Sequence, residues 1–180
     1  MSPDTSTADD MLAEGPRVRL RRIRREDFDA AARFLYTLSI SEPLTDAERI
    51  AEVHGQTGLW TEDAGAAAIV ERDSGRLLGT TQFYRASPVI HGYEIGYVLH
   101  DAADRGKGYA SDALRLMSAW LFAHRPACHR LQLLIETYNQ PSWRLAEACG
   151  YEREGVLRRA GFSSAEPEDC FLYARIREAT

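Results

Sequence analysis

The sequence predicts a single α/β domain built on a mixed, mostly antiparallel sheet with helices on both faces. The chain has 180 residues and a mass of 20.2 kDa, the size of one unit around one core. Apolar residues make up 44% and charged residues 27%, an ordinary globular balance that excludes disordered, collagen-like and coiled-coil chains. Segments of period 2 and period 3.6 follow one another in the order β-α-α-β-β-β-α-β-α-β-β, which fits a mixed sheet covered on both sides.

Residues 1–16 are polar, hold Pro3, Gly15 and Pro16, and show no apolar period, so they read as a flexible tail ahead of a domain spanning 17–180. Val18 to Ile23 mixes apolar residues and arginines in near alternation, a strand with one wet face. A helix is expected next, capped by Asp27 and carrying Phe28, Ala31, Ala32, Leu35 and Tyr36 on one side. A weaker helical pattern starts at Thr45 and Asp46, carries Ile50 and Val53, and is interrupted by Gly55 and Gly58. Ala66 to Arg72, the turn Asp73-Ser74-Gly75, and Arg76 to Arg85 read as a β-hairpin. Gly92 to His100 is a central strand, and Tyr109 to His124 a helix with Ala113, Leu114, Met117, Trp120 and Leu121 on one side. Arg130 to Thr137 is a strand, Pro141 to Cys149 a short helix stopped by Gly150, and Phe171 to Ile176 a last strand after a turn at Pro167.

Composition narrows the function classes. A net charge of −5 and a pI near 5.6 give no overall electrostatic reason to bind nucleic acid. The six arginines between Arg17 and Arg25 lack interleaved aromatics and read as a solvated face. No apolar run reaches the roughly 18 residues of a membrane span, and the N-terminus lacks signal-peptide character, so no membrane and a cytoplasmic location are expected. Cys128, Cys149 and Cys170 fit neither a disulfide framework nor a zinc ribbon, and the histidines show no metal-ligand spacing, so no metal is expected. Lys107 is the one lysine among 22 basic residues.

The segment Arg105-Gly106-Lys107-Gly108-Tyr109-Ala110 lies between a strand and the first turn of a helix. Its glycines let backbone approach a ligand, and the helix N-terminus offers unpaired N–H groups with partial positive charge, a cradle suited to phosphate. It matches neither the Walker nor the dinucleotide pattern. On these residues alone it reads equally as a glycine-rich turn bearing a surface Arg and Lys.

In the larger context the chain resembles the GNAT acyltransferases, and within them the ribosomal-protein alanine N-acetyltransferases of the RimJ/RimL type. Arg105, Gly108 and Ala110 fill the fixed places of the family's [Q/R]xxGx[G/A] pyrophosphate loop. Glu94 to Leu99 resembles its central strand, Asn139 to Ser142 its NxxS element, Cys149 to Gly155 its next strand start, and Leu172 to Arg175 its closing strand, all in family order. The resemblance implies a GNAT fold with splayed central strands and acetyl-CoA as donor, bound by Arg105, Gly106, Lys107, Gly108, Tyr109 and Ala110. It also implies that backbone N–H groups of Val98, Leu99 and His100 hold the thioester carbonyl and pantetheine arm, that Asn139 contacts pantetheine, and that Ser142 lies near the sulfur.

Acyl transfer from a thioester to an amine needs a neutral amine, a polarised carbonyl and stabilisation of the departing thiolate. Ser142 beside a developing thiolate can donate a hydrogen bond; beside Pro141 it can equally cap a short helix. Glu94 is the first choice for the base, against a strand residue paired with arginine, with His91, His100 and Glu136 in reserve. The spacing from the central strand to Arg105 is one residue long for the family, which raises a strand bulge as a possibility. Some ribosomal-protein acetyltransferases carry a carboxylate six residues beyond the glycine of the EG pair, where this chain has Gly161. Trp60, Phe83, Tyr84, Tyr93 and Trp143 are candidates either for a substrate cleft or for the core. Cys149 reads as core rather than an acyl-carrying nucleophile.

The expected activity is direct transfer of an acetyl group from acetyl-CoA to a primary amine, either a protein N-terminus or a small molecule, by a monomer or homodimer. Leu38 to Trp60 and Gly161 to Glu168 would shape the acceptor pocket and match no specific pattern. The rival from another class is a catalytically idle acyl-CoA-binding module that senses or scaffolds.

Overall fold

A computed structural model describes residues 10–32, 34–36, 43–44, 46–161 and 168–178. Its main sheet has eight strands in the order β1 (Met11–Glu14), β2 (Val18–Arg22), β5 (Ala64–Glu71), β6 (Leu77–Ser87), β7 (Ile90–Leu99), β8 (Arg130–Glu136), β10 (Cys170–Ile176) and β9 (Glu152–Leu157). Every pair is antiparallel except β7 with β8. The strands β3 (Leu35–Tyr36) and β4 (Pro43–Leu44) pair separately. Among the described residues four α-helices complete the fold: α1 (Phe28–Ala31), α2 (Ala47–Thr57), α3 (Tyr109–His124) and α4 (Gln140–Ala148).

Strand β5 shows why helices cover both faces. Its residues from Ala64 to Val70 are all buried, and alternation sends Ala67 and Ile69 into a core with Leu114, Met117 and Leu121 of α3. Ala66, Ala68 and Val70 join Phe28, Ala31 and Ile50 in a second core on the opposite face.

The decisive departure from regular pairing lies between β7 and β8. Gly92, Tyr93 and Glu94 pair with Arg130, Leu131 and Gln132, and no β7–β8 pairing follows. Ile95 to Leu99 keep β6 on one side while β8 continues beside β10. A Cβ at Gly92 would sit 2.3 Å from Arg130 O, so glycine lets the strands meet closely before they part.

The structure alters several expectations. Strand β1 lies inside the expected tail, because Leu12 and Ala13 pack on the core and the strand pairs with β2; residues 1–9 are outside the described residues. The first helix is much shorter than its apolar pattern. Asp27 does not cap it but accepts from Arg21 Nη1 at 2.6 Å, Arg21 Nη2 at 2.9 Å and Arg24 N at 2.8 Å. Ala32 then leaves helical backbone with ψ 135°, and Leu35 enters β3 yet stays buried. Helix α2 runs through Gly55 and stops at Gly58, whose φ of +65° is the left-handed conformation of a helix end.

No bulge breaks β7 against β6 from Tyr93 to Leu99, and the long connection to Arg105 instead holds a 3-10 turn at Ala102–Asp104. The arginine run is not a uniformly solvated face. Arg21 is buried on Asp27, Arg22 stacks 3.9 Å over Trp60, and Arg19 and Arg24 pair with Glu14 and Asp10. The turn expected at Pro167 and parts of the two acceptor-shaping segments lie outside the described residues.

Arg21 and Asp27 are 8% and 2% exposed, so removing the carboxylate strands a buried guanidinium. Asp27→Ala is expected to lower the unfolding free energy by about 3–5 kcal/mol, read from urea denaturation. Glu14→Ala, which opens an exposed pair, leaves the midpoint nearly unchanged. Equal midpoints for Asp27→Ala and the parent would reject this account of the turn before α1.

Candidate active site

The pairing of β6 with β7 decides which groups face the split. His100 N donates to Leu78 O at 2.9 Å. Antiparallel ladders alternate bonded and non-bonded pairs, so Val98 also directs its N–H toward β6, while Tyr97 and Leu99 direct theirs to the side that β8 has left. Of the three backbone donors expected from sequence, only Leu99 therefore faces the opening. The N–H groups of Val98 and His100 belong to the β6 ladder.

Two cavities adjoin at this split. The smaller, about 280 Å³, is lined by Phe34, Gln82, Tyr84, Glu94 and Glu136 among others. The larger, about 560 Å³, is lined by Leu99, Arg105, Gly106, Gly108, Ala110 and Arg144 among others. Both include Tyr97, Val98, Asn139 and Ser142 in their walls. Their charges are segregated: the smaller has two carboxylates and no cation in its described lining, and the larger two guanidinium groups and no carboxylate.

Glu94 sits at the apex of the split and is 7% exposed. Tyr84 Oη donates to its Oε1 at 2.7 Å and Gln132 Nε2 to its Oε2 at 2.9 Å. Glu94 is thus not a surface residue paired with arginine: the side chain is buried, lines the cavity, and these bonds come from neutral groups. Glu136 lines the same cavity and accepts from Tyr138 Oη at 2.7 Å.

Ser142 lies in the first turn of α4. The cap is Asn139, whose Oδ1 accepts from Ser142 N at 3.4 Å, while Ser142 Oγ lies 2.9 Å from Tyr97 Oη. The serine hydroxyl is therefore not the cap. Burial pushes the Tyr97 phenol up to about 12, a shift its bond to Ser142 partly offsets, so it stays protonated at neutral pH.

The glycine loop is built to expose backbone donors. Gly106 and Gly108 take φ of +75° and +83°, and Gly108 is the residue before α3. The first helical bond is Asp112 N to Gly108 O, so the N–H groups of Tyr109, Ala110 and Ser111 have no partner within the helix. Asp112 in turn accepts from Arg17 N and Val18 N at 2.9 and 3.1 Å, tying α3 to the start of β2. Bidentate Arg76 at 2.8 Å holds Asp104 below the usual carboxylate range and pins the turn before the loop. Exposed guanidinium, glycine backbone and helix N-terminus together suit a phosphate-bearing ligand.

A family model described as "Acetyltransferase (GNAT) domain" matches residues 17–152. The chain belongs to the GNAT acetyltransferases. It is 27% identical over 176 residues to the uncharacterized N-acetyltransferase YoaA of Bacillus subtilis, covering 92% of this chain and 97% of the relative. A ribosomal-protein-serine acetyltransferase of Escherichia coli is 33% identical over 100 residues, covering 56% of this chain and 55% of that protein. The crystal structure of a GNAT-family acetyltransferase from Bacillus anthracis superposes with a TM-score of 0.72 at 23% identity, covering 92% of this chain and 98% of that one. The protein is thus an acetyl-CoA-dependent N-acetyltransferase.

Within this acetyltransferase, not every expected residue reaches the site. Lys107 lies 3.5 Å from Asp104 and is absent from both linings, and Tyr109 lines the larger cavity but donates its phenol to Glu71 at 2.5 Å. His91 is exposed, and His100 stacks on Phe34 at 4.4 Å with its pKa lowered by burial; neither lines either of the two cavities described. Gly161 N donates to Glu168 O at 2.7 Å, outside both linings. Of the five candidate aromatics Tyr84 alone lines either of these two cavities, while Trp60, Phe83, Tyr93 and Trp143 pack with or against the main core, as does Cys149.

Sequence reasoning missed Tyr97 and Arg144. The signal for Tyr97 was its odd spacing from Glu94, which in a strand sends the two side chains to opposite faces and directs Tyr97 toward α4. No local pattern marked Arg144.

Valine at Gly108 would have to adopt left-handed backbone, at a strain of about 1–2 kcal/mol, and its Cβ would meet Arg17 Nε at 3.3 Å. Gly108→Val is expected to remain folded by circular dichroism and to raise the KM for acetyl-CoA at least about tenfold. A folded variant with the parent KM would remove the loop from donor binding.

Proposed function

We propose that the enzyme seats acetyl-CoA in the larger cavity and transfers its acetyl group directly to a primary amine in the smaller one. The observation that carries this reading is the charge segregation across a shared wall: guanidinium groups on the side suited to an anionic donor, carboxylates on the side suited to an amine. In this reading Arg105, Gly106, Gly108 and the first N–H groups of α3 hold the pyrophosphate, Asn139 contacts the pantetheine arm, and the Leu99 N–H polarises the thioester carbonyl. Glu94 accepts the amine proton, directly or through one water. The amine nitrogen bonds to the carbonyl carbon, the C–S bond breaks, and the Ser142 hydroxyl donates a hydrogen bond to the leaving thiolate.

A protein acceptor is the first choice, supported by the name of the E. coli relative and by the RimJ/RimL-like motifs. A small amine with more than one positive charge is the second, favoured by the presence of both Glu94 and Glu136 in one cavity. Release of CoA in the presence of peptides and of polyamines separates these readings, and release with neither would favour a binding module.

Glu94→Gln is expected to depress kcat/KM about 10²-fold or more near pH 7. The rate should recover as pH rises through the acceptor's own pKa, near 8 for an α-amine or 10 for a side-chain-type amine, where the amine is already neutral. A pH profile parallel to the parent's with both acceptor classes would exclude Glu94 as the base.

A further inference from the structure

We propose that Tyr97 is a positioning residue for acyl transfer: its phenol fixes the Ser142 hydroxyl at the junction of the two cavities so that the remaining O–H points to the leaving sulfur. The inference rests on the assignment of Ser142 given above and adds the residue that makes that assignment work.

The two oxygens are 2.9 Å apart, and both residues line both cavities. A pair of hydroxyls holds two protons and only one lies in the bond between them. With Tyr97 as donor, the Ser142 proton is left for a third atom. The alternative acceptor for Tyr97, Ser142 O, is at 3.4 Å, near the limit of a useful bond. A phenol that stays protonated at neutral pH serves as a permanent donor in this arrangement. Without it, the Ser142 hydroxyl is free to rotate about its C–O bond and to spend its one proton on another acceptor, away from the leaving sulfur.

The fold explains why a tyrosine can reach. Tyr97 lies in the part of β7 that β8 has left, and its side chain is on the face opposite Glu94, toward α4. The base and the positioning residue thus come from one strand, three residues apart and on opposite faces. Tyr97 transfers no proton. As the C–N bond forms and the C–S bond breaks, the amine proton goes to Glu94 and the thiolate charge is met by the Ser142 hydrogen bond.

The test compares Tyr97→Phe, Ser142→Ala and the double variant, each with acetyl-CoA and with the acetyl thioester of an aryl thiol, whose more acidic thiol needs less stabilisation on leaving. Tyr97→Phe is expected to lower kcat with acetyl-CoA about tenfold, the effect of one lost hydrogen bond, with KM for acetyl-CoA within about twofold. The loss should vanish in the Ser142→Ala background and shrink with the aryl donor. The ratio of rates with the two donors is internal to each sample, so it reads the same whatever fraction of a variant is folded. Equal losses with both donors, or losses that multiply in the double variant, overturn the inference. If Ser142→Ala lowers kcat and Tyr97→Phe does not, Tyr97 alone loses its role. If Ser142→Ala leaves kcat unchanged, the assignment of Ser142 falls and the role of Tyr97 with it.

Discussion

The parting of β7 from β8 beyond Glu94 and Gln132 is the constraint on which the active region depends. A parallel pair that stayed in register would bond the N–H groups of Tyr97 and Leu99 to β8 and close the sheet over the space where the two cavities now meet. The separation leaves backbone donors without a strand partner in a largely buried setting, which is tolerable when a ligand supplies the acceptors. The same opening admits residues from both faces of β7. The main core packs β7 through Tyr93, Ile95 and Leu99, and β8 through Leu131, Leu133 and Ile135, against α3, and the second fixes β5 beneath α1 and α2.

Electrostatic organisation follows from that geometry. The chain carries a net charge of −5, yet its charges are sorted by place rather than by total. Glu94 is held by neutral hydrogen-bond donors rather than by a fixed guanidinium, so these contacts leave its charge uncompensated. Arg21 and Arg76 are instead bound bidentately to Asp27 and Asp104, and shape the turns that flank the site rather than its interior.

The parts of this organisation that were legible in the sequence are those set by local chemistry. The helix Tyr109–His124 matches its apolar period, and the hairpin of β5 and β6 follows from alternation around a glycine turn. The glycine loop ahead of α3 was readable as a loop with exposed backbone because paired glycines before a helix leave a plain mark, and Gly106 and Gly108 do take left-handed backbone. What failed depended on partners distant in sequence. The first helix carried a sound apolar stripe, but Asp27 bonded Arg21 in place of capping it. Strand β1 is too short to show alternation and exists because β2 offers an edge. His100 lies next to Leu99, and only the register with β6 reveals which of the two N–H groups faces the cleft. The spacing from Glu94 puts Tyr97 on the other face of β7, but its place at the cavities comes from the splay, and that of Arg144 from the seating of α4.

The ion pair between Lys107 and Asp104 has a meaning particular to an enzyme that acetylates amines. The chain holds a single lysine, set in the very loop that reads as the donor's anchor. That ammonium group leans toward a buried carboxylate and takes no part in either cavity wall. Elsewhere arginine supplies the side-chain positive charge, and a guanidinium stays protonated and so is no nucleophile toward a thioester. The described side chains thus include one primary amine, Lys107, and its ammonium rests against Asp104 outside both cavity walls, so the enzyme's own surface offers little of the functional group that its chemistry consumes.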